Sequence, residues 1–319
     1  MEGVSGHVNP GQVIETSHED MIHDSQFDYY ATKLATCSSD RTIKIFDVVG
    51  EHHHNCATLT GHEGPVWQVA WAHPQYGVLL ASCSYDGSVM VHKEQSQNSW
   101  VKVYDHRVHE ASVNSIAWSP SEFGLNLACA SSDGSISIIE YKDKQNSWNT
   151  SKFKNDAMGC NSVSWAPYSA LGSSSSEEQS APERSLAGSR LVTGSCDNQV
   201  RIWRFVAANG TWEEEARRQL SSPHTDWVRD VAWAPNTAMP YNIIASCSED
   251  RNVYIWKQAG RDEPWVTTLL HTFEAPVWRV SWSVTGNVLA VSTGDHRVTL
   301  WKQAVDESWL QISTLDSSS

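Results

Sequence analysis

The sequence predicts an all-β fold, a six-bladed propeller built from WD-type repeats. Three observations carry that reading. A hydroxyl residue, one spacer and an aspartate recur six times, at Asp40, Asp86, Asp133, Asp197, Asp250 and Asp295, with Ser38, Ser84, Ser131, Ser195, Ser248 or Thr293 two residues before. Aliphatic residues follow each aspartate at +3 and +5 (Ile43 and Ile45, Val89 and Val91, Ile136 and Ile138, Val200 and Ile202, Val253 and Ile255, Val298 and Leu300). Upstream, a block of two apolar residues and a tryptophan recurs as VWQVAW (66–71), VNSIAW (113–118), CNSVSW (160–165), VRDVAW (228–233) and VWRVSW (277–282). A repeat of about 40–45 residues with Trp and turn aspartates is the signature of a propeller blade.

Each element follows from these blocks. The tryptophan block is the first strand of a blade, with a weaker version near Met21 and Ile22 in the first unit. The hydroxyl residue ends the second strand and the +3/+5 alternation marks the third, because a period of two leaves one face buried. An aromatic closes that third strand in four copies (Phe46, Trp203, Trp256, Trp301), while His92 and Ile139 stand in the other two. Outer strands are predicted at 58–59, 100–103, 148–153, 212–220, 265–270 and 309–312. The aspartate spacings are 46, 47, 64, 53 and 45. The excess in the third gap is GSSSSEEQSAPERSLAGS (172–189), whose composition is that of a disordered surface loop. It is read as an insertion in blade 4, within a single propeller spanning 10–316.

Composition narrows the function. A net charge of −14 and the lack of any basic run argue against a nucleic-acid footprint. No run of 18 apolar residues and no leader pattern is present, so a cytoplasmic or nuclear protein is expected, with membrane association only through other subunits. Seven cysteines without a CxxC pair fit free thiols, with Cys37, Cys83, Cys129 and Cys247 on second strands.

Several residues invite a chemical reading. His18, His62, His109 and His224 lie four residues before Ile22, Val66, Val113 and Val228, so His, Asp and Ser meet in four blades, as in a nucleophilic triad. A catalytic set is needed once, whereas this one recurs, so a structural polar network is the expectation. It comprises those histidines with Asp40, Asp86, Asp133, Asp197, Asp250 and Asp295; Asp156 and Phe273 take the histidine place in blades 4 and 6. The run Glu51 to His54 offers imidazoles in a predicted loop with no second ligand cluster, so no metal is expected. Arg217 and Arg218 after three glutamates read as a charged edge strand. Phosphate-cradling glycine patterns are absent, and neither a catalytic residue nor a cofactor is assigned.

The N-terminus adds one strand too many, Gln12 to Thr16, although every blade already has an outer strand. An unpaired strand exposes its backbone. The expectation is that a partner inserts three strands beside Val13, Ile14 and Glu15 and builds a seventh blade. Fraying, or a fifth strand on blade 6, is the alternative for that segment.

The segments at 15–48, 80–94, 109–120, 159–167, 224–235 and 277–301 closely resemble the small propeller subunit of the COPII outer coat, over nearly the whole chain and in blade order. The resemblance implies an open propeller completed by an inserted blade, and a scaffold rather than an enzyme. It implies endoplasmic-reticulum export vesicles with the large rod-forming coat subunit, the nuclear pore Y-shaped scaffold with an α-solenoid nucleoporin, and a nutrient-signalling complex. His92, the run His52 to His54 and the longer Ser-rich loop depart from that family's pattern. An interface made by a whole blade should exceed roughly 2,000 Å². The rival readings are a closed-ring WD adaptor or substrate receptor and, more remotely, an enzyme with a ring-centre site.

Overall fold

The computed structural model describes residues 13–50, 52–107, 109–156, 158–168, 186–215, 222–235, 241–260, 263–304 and 306–316. They form six antiparallel four-stranded sheets, each in sequence order. Blade 1 holds β1 (Ile22–Phe27), β2 (Lys33–Ser38), β3 (Ile43–Val49) and β4 (His52–Leu59). Blade 2 holds β5 (Val66–Trp71), β6 (Leu79–Ser84), β7 (Val89–Ser96) and β8 (Ser99–His106). Blade 3 holds β9 (Val113–Trp118), β10 (Asn126–Ser131), β11 (Ser135–Lys142) and β12 (Ser147–Lys154). Blade 4 holds β13 (Cys160–Trp165), β14 (Arg190–Ser195), β15 (Val200–Val206) and β16 (Thr211–Glu214). Blade 5 holds β17 (Val228–Trp233), β18 (Asn242–Ser248), β19 (Asn252–Gln258) and β20 (Val266–Thr272). Blade 6 holds β21 (Val277–Trp282), β22 (Val288–Thr293), β23 (Arg297–Gln303) and β24 (Trp309–Asp316). First strands of consecutive blades lie side by side around an axis. No helix among the described residues is long and apolar enough to cross a membrane.

The recurring Ser-x-Asp is a turn that locks itself. In blade 1 the Asp40 N–H donates to Ser38 Oγ at 3.1 Å and Asp40 Oδ1 accepts the Thr42 N–H at 2.9 Å. The Arg41 N–H closes the turn on the Ser38 carbonyl at 3.2 Å. Such a turn needs a left-handed residue just after the aspartate, and Arg41, Gly87, Gly134, Asn198, Arg251 and His296 all have φ between 64° and 80°. At Gly134 and Gly87 glycine is also required on space, since a Cβ would come within 2.3 Å of the Asp156 carbonyl oxygen and 2.9 Å of the His109 carbonyl oxygen.

The sequence reading needs three corrections. Residues 13–18 carry no strand, because among the described residues no strand stands beside them to supply ladder hydrogen bonds; Gln12 lies outside the described residues. His52, His53 and His54 are not in a loop but in β4, paired with Val49, Val48 and Asp47. The outer strand of blade 4 ends at Glu214, and Arg217 and Arg218 lie outside the described residues. Residues 172–185 of the predicted loop also lie outside them, and at its end 186–189 form a turn, with the Ser189 N–H on the Leu186 carbonyl at 2.9 Å.

Candidate partner-docking seam

Blades are joined by three repeated devices. The first is apolar. At each of five junctions, side chains from the first strand of one blade pack on the second and third strands of the blade before, as Val66 and Val69 do on Ala35, Cys37, Ile43 and Ile45. Equivalent clusters join blades 2–3, 3–4, 4–5 and 5–6. A fully buried valine or isoleucine at such a junction contributes roughly 1.5–3 kcal/mol.

The second device is a polar belt around the axis, each link reaching one blade forward. Asp24 Oδ2 accepts the Val69 N–H at 3.2 Å, and Gln68 Oε1 accepts the Ile116 N–H at 2.7 Å. Ser115, Ser162 and Asp230 take the N–H groups of Val163, Val231 and Val280 at 3.4, 3.2 and 3.0 Å. The third device reaches backward. Trp71, Trp118, Trp165 and Trp282 each donate the indole N–H to a carbonyl of the preceding blade, at 2.8–3.0 Å.

Between blade 6 and blade 1 this pattern breaks. Among the described residues no apolar cluster joins these blades. Ile22 is 46% exposed, whereas Val66, Val113, Val228 and Val277 at the same place are wholly buried. On the opposite face Ala290, Ser292, Val298 and Leu300 are half-buried, whereas Ala245, Cys247, Val253 and Ile255 of blade 5 are buried. Phe27 replaces the backward-reaching tryptophan and is 53% exposed. What remains is polar and lies at the axis. Arg279 Nη1 is 3.3 Å from Asp24 Oδ1, and Nη2 is 3.5 Å from the carbonyls of His23 and Trp67. Burial disfavours the charge on Arg279, but Asp24 and Asp230 beside it raise its pKa; burial likewise raises the pKa of Asp230, against the pull of Arg279.

The predicted N-terminal edge leads into this seam. Val13, Ile14 and Glu15 stand at the same distance ahead of Ile22 as Ala57, Thr58 and Leu59 stand ahead of Val66. Val13 is exposed, and Lys44 Nζ ties the segment to β3 through the carbonyls of Thr16 and Ser17 at 3.1 and 2.5 Å. Ile22, Val298 and Leu300 enter the sequence reading only as strand residues, because their types match those of a covered junction; Arg279 is not read there as a site residue, although an arginine stands where Asp24, Gln68, Ser115, Ser162 and Asp230 stand in the other blades.

The polar network forms as four histidine clusters and two substitutes. His18 Nδ1 meets Asp40 Oδ2 at 2.7 Å and Nε2 meets Thr36 Oγ1 at 2.9 Å. In blade 5, His224 meets Asp250 at 3.0 Å and Ser246 at 2.8 Å. His62 lies between Ser88 and Ser82, 3.4 Å from Asp86. His109 meets Asp133 at 3.0 Å and Ser137 at 2.8 Å. The histidine's hydroxyl partner is thus not the serine of Ser-x-Asp, which braces the turn. It lies four residues before the aspartate in blades 1, 2 and 5; Cys129 occupies that place in blade 3, so His109 turns to Ser137. Burial opposes the charge on Asp40, but hydrogen bonds from Thr42, His18 and the Glu19 N–H hold its pKa well below the usual range. Asp86, Asp133 and Asp250 are lowered in the same way against burial, by bonds led by His62, Lys152 and His224 respectively.

In blade 4 the buried Asn155 takes the histidine's role, accepting from Thr193 Oγ1 at 2.8 Å and donating to Ser195 Oγ at 2.8 Å, and Arg201 holds Asp197. Asp156 instead caps the N–H groups of Met158 and Gly159. In blade 6 Asp295 is exposed and bonds Thr293, while Phe273 packs on His271 and Trp301. The imidazoles of His18, His62, His109 and His224 are at most 2% exposed, so no substrate could reach them. Burial raises the Cys129 thiol to about 12 and those of Cys37 and Cys83 well above their usual value, which makes them inert apolar groups. Among the described residues no group of three or more His, Cys, Asp or Glu side chains is placed to hold a metal.

A family model described as WD domain, G-beta repeat matches residues 11–47, 54–93, 150–204, 217–257 and 267–302. The model of the anaphase-promoting complex subunit 4 WD40 domain matches 76–167. The chain is 55% identical over 310 residues to the protein transport protein SEC13 homolog A of Arabidopsis thaliana, covering 96% of this chain and 99% of that protein. It is 52% identical over 309 residues to the SEC13 homolog of Dictyostelium discoideum, with the same coverage. Against the protein transport protein SEC13 of Lodderomyces elongisporus it is 48% identical over 277 residues, 86% of this chain and 88% of that one.

Proposed function

The chain belongs to the SEC13 family of WD-repeat proteins, and from that premise we propose that it acts in protein transport as a non-catalytic scaffold subunit. It builds the outer coat of COPII vesicles leaving the endoplasmic reticulum and the outer ring of the nuclear pore. In each it docks a larger partner, the large rod-forming coat subunit or an α-solenoid nucleoporin, and in a third setting subunits of a nutrient-signalling complex. Its association with vesicle membranes is peripheral and runs through the coat.

The observation that carries this reading is the uncovered seam between blades 6 and 1. Apolar side chains that are buried at five junctions stand open there on both sides, and such a matched pair of faces is costly to leave in water. A partner segment of about three strands, paired beside 13–16 and sandwiched between Ile22 and Leu300, supplies what the junction lacks. The polar clusters that resemble catalytic triads recur and are sealed, which favours a structural role for them.

The test is Ile22→Asp and Leu300→Asp, singly, followed by capture from cell extract. Both side chains are already partly open to water, so melting should change little. Capture of the rod-forming coat subunit and of the solenoid nucleoporin should each fall at least tenfold, as expected when a charge enters an interface core. Undiminished capture by folded variants overturns the seam as the docking site. Deleting 1–16 adds a second arm, separating strand pairing from face packing.

A further inference from the structure

The framework repeats from blade to blade, but one pair of positions does not. The second residue of each inner strand is His23, Trp67, Asn114, Asn161, Arg229 or Trp278. In every blade it meets the residue just before the turn aspartate. His23 Nε2 lies 2.6 Å from Ser39 Oγ, and Asn114 Nδ2 donates to Ser132 Oγ at 2.9 Å. Cys196 Sγ is 3.4 Å from Asn161 Oδ1, and Arg229 pairs with Glu249. Trp67 stands edge-on to Tyr85, with ring centroids 6.4 Å apart and planes at 81°. Trp278 Nε1 fills the space a Cβ on Gly294 would need, 2.9 Å away. The contact is sixfold and the chemistry differs each time. Turn and core need the same kind of residue in nearly every blade, and the belt needs a hydrogen-bond acceptor in five of them, whereas these pairs share no one chemistry.

All six pairs gather at one mouth of the axis, where the loops entering the inner strands and the aspartate turns lie. On blades 3 and 4 the amides are used within the ring, Asn114 Nδ2 donating to the Cys160 carbonyl and Asn161 Nδ2 to the Val228 carbonyl, both at 2.9 Å. On blades 5, 6, 1 and 2 the mouth is aromatic. Tyr85, Trp278 and Trp227 are 63%, 44% and 42% exposed. Ser112 Oγ accepts the Trp67 indole N–H at 2.9 Å and fixes that ring. Exposed carboxylates Glu19, Asp20, Glu63, Glu110, Asp226 and Glu274 and the six turn aspartates stand around the mouth, against Arg41, Arg107, Arg251, Arg297 and the blade 3 lysines Lys152 and Lys154, which bond Asp133. Arg107 is itself within 3.7 Å of both Glu63 and Asp105.

We propose that this mouth binds a basic segment of a partner protein, an Arg or Lys side chain stacking in the corner between Trp67 and Tyr85 and facing the Glu63 loop. The open electron-rich face is that of Tyr85, since His23 already stands 4.5 Å from the Trp67 ring centroid at 70°, and a rim of carboxylates raises the local concentration of cations. The chain already makes this contact once with its own Arg229, which lies 5.1 Å from Trp227 and 5.0 Å from Trp278. A polyanion such as nucleic acid meets the wrong sign of charge at this rim and over the whole chain. The site is separate from the seam and does not depend on what docks there.

The experiment titrates the full chain with the nonapeptide Gly-Ser-Arg-Gly-Lys-Gly-Ser-Arg-Gly, and with the same peptide carrying Gln in place of its three basic residues, by calorimetry. The basic peptide should bind and the Gln peptide should not. Tyr85→Ala, which leaves every charge in place, should weaken binding roughly threefold or more, as an exposed cation–π contact implies. Glu63→Gln should weaken it further at low salt. Tyr85 is a surface side chain, and an unchanged melting curve establishes that the variant is folded. Equal binding of both peptides, or an unaltered affinity in Tyr85→Ala, overturns the proposal; the latter result would mean that the acidic chain attracts basic peptides without a site.

Discussion

Replacing Asp250 by alanine measures what the turn aspartate does, and Asp295 is its control in the same molecule. Asp250 Oδ2 accepts from His224 Nδ1 at 3.0 Å and from the Thr225 N–H at 2.9 Å, and Oδ1 accepts the Asn252 N–H at 2.8 Å. Thr225 is exposed, so water replaces that bond at little cost. The His224 side chain is 0% exposed, and without the carboxylate its buried N–H has no acceptor. An orphaned buried donor costs about 1–3 kcal/mol, and losing charge-assisted bonds at the turn brings the total to roughly 2–4 kcal/mol. Asp295 has a third of its side chain in water and only Thr293 and Arg297 nearby, so Asp295→Ala should cost under about 1 kcal/mol. Urea unfolding followed by tryptophan fluorescence compares the midpoints. The double variant Asp250→Ala/His224→Phe removes the orphan as well as the acceptor, and should be less destabilised than the sum of its parts. Equal shifts for Asp250→Ala and Asp295→Ala, or simple additivity in the double variant, would refute the reasoning.

Two further outcomes follow from other parts of the ring. Buried His92, whose Nδ1 has no partner, and buried His106 are both held down to about 4 by burial. Each is neutral in the folded chain and titrates near 6.5 when unfolded, so stability is full above pH 6.5 and is lost as pH falls toward 4, by on the order of 3 kcal/mol per histidine. His92→Trp, the residue found at that place in blades 4, 5 and 6, should remove about half of that slope in melting curves taken between pH 7.5 and 4.5; an unchanged slope would clear His92 of the effect. Gly194→Ala would place a Cβ 2.7 Å from Val228 Cγ1 and 3.0 Å from Val231 Cγ1, across the junction of blades 4 and 5. Overpacking there should cost about 1–3 kcal/mol, and adding Val228→Ala should return part of it in the same unfolding assay.

The second and third strands and their turns were legible because a turn aspartate with flanking +3/+5 aliphatics encodes them locally. The histidine network was legible in outline, but its hydroxyl partners were misplaced. Thr36, Ser82 and Ser246 recur four residues before Asp40, Asp86 and Asp250, so a stricter register would have found them. The segment at 12–16 has the alternation of a strand, yet a strand exists only when a neighbour completes its ladder, which no local pattern records. His52 to His54 read as a loop because three polar residues hide the period of two; pairing with Val49, Val48 and Asp47 decides the matter. The seam was inferred from a strand count, but its working surface was not. Ala290, Val298 and Leu300 look like the residues of any blade, and their exposure reflects a covering neighbour that is absent among the described residues.

The ion pair of Arg279 with Asp24 has a mechanical consequence. Contacts confined to the axis limit how far two blades separate there, but resist their rotation about that point only weakly. The seam therefore acts as a wedge with its apex pinned, and any change of angle at the apex is amplified in proportion to distance toward the rim. Stiffness at this sector then depends on whatever is seated in the wedge. On the proposed docking, such a subunit would take its final curvature from the partner seated there.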